Sequence, residues 1–110
     1  MIKDFNSYQA FVKDMKIYPA WHSIIYPTLG LAGEAGEIAE KVKKILRDSD
    51  GEWSDDQKTA VLYELGDPLW YIAAIADDLG FTLQEVVDAN YDKLTGRKER
   101  GTIQGSGDER

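Results

Sequence analysis

Leu62, Leu65, Leu69, Ile72, Ala76 and Leu79 recur at alternating steps of three and four, and that spacing constrains the chain more than any other feature. Side chains repeating every 3.5 residues share one side of an α-helix and neither single face of a strand, so the segment is helical and carries an apolar seam. A second segment repeats the device, with Leu31, Ala35, Ile38, Val42 and Ile45 on a helix expected from about residue 28 to 48. A first helix is expected over 4–16, with Phe5, Tyr8, Val12 and Met15 on one face, and a last one begins after Thr82 and runs through Leu83, Val87 and Leu94. Ser54 with Gln57, and Thr82 with Glu85, have the form of capping boxes, and Gly80 is placed to end the third helix. Strand patterns are nearly absent and the connections are short. The expected fold is therefore all-α, an antiparallel helical bundle of four main helices. Residues 1–98 read as one domain, and 99–110 as a glycine-rich, polar C-terminal tail.

The balance of charge narrows the partners. Twenty acidic residues against 13 basic ones leave a formal charge of −7, which does not favour nucleic acid or an anionic membrane. With no cysteine there is neither a disulfide nor a thiolate metal site. The first fifteen residues are charged and amphipathic rather than a signal peptide, and the longest run without Asp, Glu, Lys or Arg, 17–33, is broken by Pro19, Pro27 and Gly30. The expectation is a cytoplasmic protein.

Four carboxylates sit oddly against the seams. At about 100° per residue, Glu34 lies about 40° outside Ile38, at the edge of the apolar stripe, and Glu37 follows one turn later. Glu64 and Asp67 repeat the i, i+3 spacing on the third helix, with Tyr71 one turn beyond. Helices packed along their seams bring the pairs face to face, where like charges repel unless a cation lies between them. Oxygen donors without Cys or Glu-x-x-His suit Mg²⁺ or Mn²⁺ rather than zinc or a di-iron centre. The alternative is two solvated surface pairs. On the fourth helix Asn90 occupies a seam position, with Lys93 and Arg97 on either side of the same face. It is either a polar group that fixes register or an amide beside two cations suited to a phosphorylated ligand. Gly33 and Gly36 stand beside the first acid pair, where they would let another backbone approach. Trp70 points away from the seam, as packing or an oligomer contact, and with Ile75 makes the third helix apolar over most of its circumference.

Three stretches, LGLAGEAGEIAEKVKK, ELGDPLWYIAAIADDLG and ANYDKLTGRKERGTIQGSGDER, together resemble the MazG-like nucleoside triphosphate pyrophosphohydrolases. The resemblance implies an all-α hydrolase, usually a homodimer or homotetramer, that cleaves nucleoside triphosphates to the monophosphate and pyrophosphate with Mg²⁺. It implies that Glu34, Glu37, Glu64 and Asp67 are the catalytic, metal-binding acids, and that Tyr71, Asn90 and Lys93, joined by Arg97, line the substrate site. The corresponding role is removal of non-canonical or excess triphosphates from the nucleotide pool. One position departs from the pattern: Pro68 stands where the family usually has an aliphatic residue. A proline there either kinks the third helix or restarts it with Asp67 as N-cap. The alternative function is a catalytically impaired nucleotide-binding or helical assembly protein.

Overall fold

The computed structural model describes residues 1–110 as four α-helices and one short 3₁₀ turn, with no strand. The helices are α1 (Phe5–Met15), α2 (Ile25–Ser49), α3 (Asp55–Asp78) and α4 (Leu83–Arg100), which is the all-α architecture the spacing predicts. The starts of α1, α3 and α4 are fixed by side chains that accept otherwise unpaired amide protons. Asp4 accepts from the Ser7 N–H at 2.7 Å. At α3 the capping box is complete: the Gln57 N–H donates to Ser54 Oγ at 3.1 Å, and the Ser54 N–H to Gln57 Oε1 at 2.8 Å. At α4 only half of the expected box forms, the Glu85 N–H donating to Thr82 Oγ1 at 3.0 Å. Gly80, at φ +84°, ends the α3 segment, and the Phe81 N–H closes the turn on the Ala76 carbonyl at 2.8 Å.

Helix α2 begins three residues earlier than the sequence suggests, because Pro27 falls in its first turn, where a missing N–H breaks no helical bond. The turn feeding it is strained. Ile24, a β-branched residue, sits at φ +69° and ψ −55°, and the Ile25 N–H donates across it to the Ser23 carbonyl at 2.7 Å, which makes a γ-turn. Asp78, at the end of α3, holds that turn by accepting the Ile24 N–H at 2.9 Å, the Tyr18 hydroxyl at 2.9 Å and the Lys16 ammonium at 2.7 Å. Burial pushes the Asp78 carboxyl up, but these donors outweigh it and leave the group below its ordinary value. Tyr18, half-buried and donating to that carboxylate, is pushed up to about 12. The entry angle of α2, and with it the position of Glu34 and Glu37, is thereby tied to the end of α3.

Helix α2 lies along α3, and α1 packs on α3 and α4. The core is small: Val12, Ala73, Ala74 and Leu83, flanked by Tyr8, Trp70 and Ile72. Gln9 stitches α1 to the α3–α4 turn, donating to the Phe81 carbonyl at 2.9 Å and accepting the Leu83 N–H at 3.0 Å. The seam expected on α3 is only partly the buried face. The residues of α3 that are closed off are Ala73, Ala74 and Ala76, of which only Ala76 belongs to the seam, whereas Leu62 and Leu65 remain 65% and 52% exposed. Leu69, Leu79 and, on α2, Val42 and Leu46 are exposed too. The seam was legible as an apolar stripe, but periodicity does not say whether the same chain covers it. The radius of gyration, 16.9 Å, exceeds the roughly 13 Å of a compact domain of this length. Helices α2 and α3 form a long hairpin, and α1 and α4 close a small core with one end of α3. No helix is long and apolar enough to cross a membrane.

Candidate metal centre between the second and third helices

The expected carboxylate cluster forms where α2 lies against α3. Glu34, Glu37 and Glu64 each bring an oxygen to within 4.8 Å of the others. Glu34 is half-buried, and its Oε2 is closed to solvent without a hydrogen-bond donor. An acceptor left in that state is costly, and three mutually repelling carboxylates add to the cost. The Glu34 carboxyl is accordingly pushed above its ordinary value, first by desolvation and then by the charges of Glu37, Asp67 and Glu64. Asp67 stands beside this trio rather than in it. With Glu34, Trp70 and Tyr71 it lines an adjoining cleft of about 300 Å³. Of the four acids only Glu64 has an ion pair, with the Lys41 ammonium at 3.4 Å.

The donor set fits a hard divalent cation. It is all oxygen, it converges from two helices, and it includes one buried acceptor with no partner in the chain. Helix α3 runs unbroken through Pro68, so Glu64, Asp67 and Tyr71 project from one continuous helix. The picture in which α3 restarts at Asp67 is therefore excluded, because residues on both sides of the proline stay helical.

Tyr71 is set by a contact the sequence reading missed. A Cβ placed on Gly30 would lie 2.2 Å from Tyr71 Cε1, so the absent side chain at Gly30 is what lets the ring lie against α2. Its hydroxyl proton is held more tightly than usual, mainly through burial and then through Tyr26, Glu34 and Asp67. Trp70 meets Tyr71 edge-on, with centroids 5.2 Å apart. It packs on the core, as expected, and also lines the acid cleft, which was not expected. Gly33 and Gly36 work differently from the expectation: no other backbone approaches them, and both open onto a polar cleft. Gly30→Ala is expected to destabilise the protein by about 1–3 kcal/mol, since the ring or the helix must move. A urea titration measures the loss, and a quenching experiment on Trp70 reports the displaced neighbour.

The α4 residues lie apart from the acids. Asn90 and Lys93 line a cavity of about 550 Å³ with Phe81, Glu85, Val86 and Ala89, in which none of the four acids takes part. Asn90 is exposed rather than packed in a seam. Arg97 is buried, and its guanidinium donates to the Asp108 carbonyl at 3.0 Å, holding the tail against α4. Arg110 reinforces that loop by donating to the carbonyls of Thr102 and Ile103, each at 3.0 Å.

Residues 26–102 match the MazG nucleotide pyrophosphohydrolase domain, a span that takes in all four acids and the whole of α3 and α4. The chain belongs to the MazG family. This MazG chain is 48% identical over 109 residues to the gene 37 protein of Mycobacterium phage L5, covering 94% of this chain and 96% of that one. It is 39% identical over 74 residues to the uncharacterized protein YvdC of Bacillus subtilis (strain 168), covering 63% of this chain and 70% of YvdC. No solved structure matches it. MazG domains are typically metal-dependent, and the three-glutamate cluster is where this chain concentrates donors for such an ion.

Proposed function

We propose that this MazG chain hydrolyses nucleoside triphosphates to the monophosphate and pyrophosphate, with Mg²⁺, or Mn²⁺ in its place, held by Glu34, Glu37 and Glu64 and assisted by Asp67. The observation that carries the reading is the buried, unpartnered Glu34 oxygen inside a three-carboxylate cluster on the two helices that carry the family's acids. When bound, the cation supplies neutralisation of the phosphate charge and a more acidic water. The chain's own part is positioning and proton transfer. A carboxylate oxygen of the cluster accepts the proton of the attacking water as that water's oxygen bonds to the α-phosphorus. The α–β anhydride bond then breaks, its electron pair leaving with pyrophosphate. Trp70 and Tyr71 offer an aromatic wall beside Glu34 and Asp67 for the nucleoside end. The unbroken helix through Pro68 favours this reading over an impaired nucleotide-binding protein. Pyrophosphate release across a panel of triphosphates, with and without Mg²⁺, tests it directly; no release with any triphosphate would overturn it.

The acids also predict a thermal response. A cation that binds only the folded cluster stabilises it, by about 2.7 kcal/mol at a hundredfold excess over its Kd. The melting temperature is therefore expected to rise on titration with Mg²⁺ or Mn²⁺, and a flat titration at millimolar metal would remove the basis for the site.

The working form is, by the same reading, a homodimer or homotetramer. Leu62, Tyr63, Leu65 and Leu69 lie close together on α3 and, like Leu29 and Leu46 of α2, are exposed, which a second copy would cover. A second copy is also the means by which an α4 carrying Asn90 and Lys93 can meet the acids of the first. Light scattering at micromolar concentration is expected to give at least twice the 12.4 kDa chain mass, and a clean monomer would refute the assembly.

A further inference from the structure

The acid cluster has two differently built sides. On one lies the cleft with Trp70 and Tyr71. On the other lies an open cleft of about 530 Å³ that shares Glu37 and Glu64 with the cluster and has no hydrophobic residue in its lining. Gly33 and Gly36 border that side, so no side chain from them fills it. Lys41 and Lys44 supply its cations, one turn apart on α2. Lys44 has no ion-pair partner, while Lys41 stands 3.4 Å from Glu64. Glu40, the remaining acid of this lining, is engaged with Lys43, whose ammonium donates to both its oxygens at 2.9 and 3.0 Å.

A nucleoside triphosphate is likewise two-ended about its α–β bond, aromatic on one side and a dense polyanionic phosphate pair on the other. We propose that Lys41 and Lys44 bind the β- and γ-phosphates, so that this cleft receives the leaving pyrophosphate while the nucleoside lies toward Trp70 and Tyr71. The proposal rests on the pyrophosphohydrolase reading above and adds its direction. Lys41 has a second duty in it: before metal and substrate arrive, its ammonium is the internal counter-ion of Glu64. Both side chains are partly exposed, at 43% and 23%, so the pair is weak and exchanges readily. A divalent cation held by Glu34, Glu37 and Glu64 would supply the counter-charge at Glu64, leaving the Lys41 ammonium free to donate charge-assisted hydrogen bonds to the phosphates.

The test is calorimetric titration of the full chain with inorganic pyrophosphate in excess Mg²⁺, and separately with a nucleoside monophosphate and with Mg²⁺ alone. Lys41→Met and Lys44→Met are each expected to weaken pyrophosphate binding about tenfold, as loss of one charge-assisted bond does, and to leave monophosphate binding unchanged. Lys41→Met is also expected to tighten binding of Mg²⁺ alone, because Glu64 loses its competing ammonium. Lys41→Arg should retain pyrophosphate binding, and Lys13→Met, exposed on α1 and without an ion pair, should match the parent. Circular dichroism melts check that each variant is folded. Pyrophosphate affinity unchanged in both the Lys41→Met and Lys44→Met variants, or lost equally in Lys13→Met, would overturn the proposal. So would a parent that binds Mg²⁺ but no pyrophosphate, whereas a parent that binds no Mg²⁺ would overturn the pyrophosphohydrolase reading beneath it.

Discussion

Glu37→Ala is expected to lower the rate of pyrophosphate release by at least about a hundredfold, since even residues that only support a metal ligand cost 10–100-fold when removed. The same substitution is expected to leave the fold intact and to stabilise the metal-free protein. Glu37 is exposed and makes no ion pair, so no packing is lost with it. What is removed is a negative charge beside Glu34, where desolvation comes first and the Glu37 charge second in raising the carboxyl above its ordinary value. The sign of the pH dependence follows. A carboxyl whose folded pKa is raised binds a proton more readily folded than unfolded, so it disfavours the folded state at neutral pH, and this effect fades as pH falls through the raised value. The metal-free parent should therefore gain in melting temperature on mild acidification, and Glu37→Ala should gain less. Asp78 has the opposite sign: its depressed pKa contributes stability that is lost only as pH falls through that lower value. With Mg²⁺ bound the mild-acid trend should reverse, because protonating Glu34 then competes with the cation. A Glu37→Ala protein that hydrolyses triphosphates as fast as the parent would refute the carboxylate site.

The residues that local spacing can reach were legible in the sequence. Helix starts at Ser54 and Thr82 and the stop at Gly80 depend on neighbours three or four positions away, and the i, i+3 acid pairs depend on helical geometry alone. Facing pairs on α2 and α3 follow once those helices pack. What was not legible depends on contacts between distant positions or on a surface that this chain does not cover. The Gly30–Tyr71 contact joins residues 41 positions apart, and no spacing rule selects Gly30 over Gly33 or Gly36. The leucines of α3 have the same 3.5-residue period whether they meet this chain or another, so periodicity placed them in a core that alanines fill. Arg97 reads as a free cation beside Asn90, but the tail it holds begins only after α4 ends. Lys41 did carry a signal, because it lies four residues after Glu37 and so on the same helical face. A lysine at that spacing is ordinary on a solvated helix, so the spacing alone does not mark it.

Pro68→Val is expected to stabilise the protein by up to about 3 kcal/mol, the penalty of a proline in a helix interior. Two pictures of this residue were open, and they predicted different outcomes. Had α3 restarted at Asp67, Pro68 would have occupied a first turn, where its missing N–H is harmless and valine changes little. Instead α3 is one helix from Asp55 to Asp78, and Pro68 lies thirteen residues after its start. A proline at that depth leaves the carbonyl four residues back without its donor and crowds it with the ring. That carbonyl belongs to Glu64, whose side chain is in the metal cluster. Valine restores the donor, at a small cost in helix propensity from its β-branch. For a domain near this size each kcal/mol raises the midpoint by roughly 4–8 °C, so the gain is measurable in a metal-free thermal melt. A midpoint equal to the parent's would mean that the turn around Glu64 has relaxed around the proline and stores no strain. A large drop would mean that the ring, half-buried in the fold, contributes more by packing than its backbone effects remove.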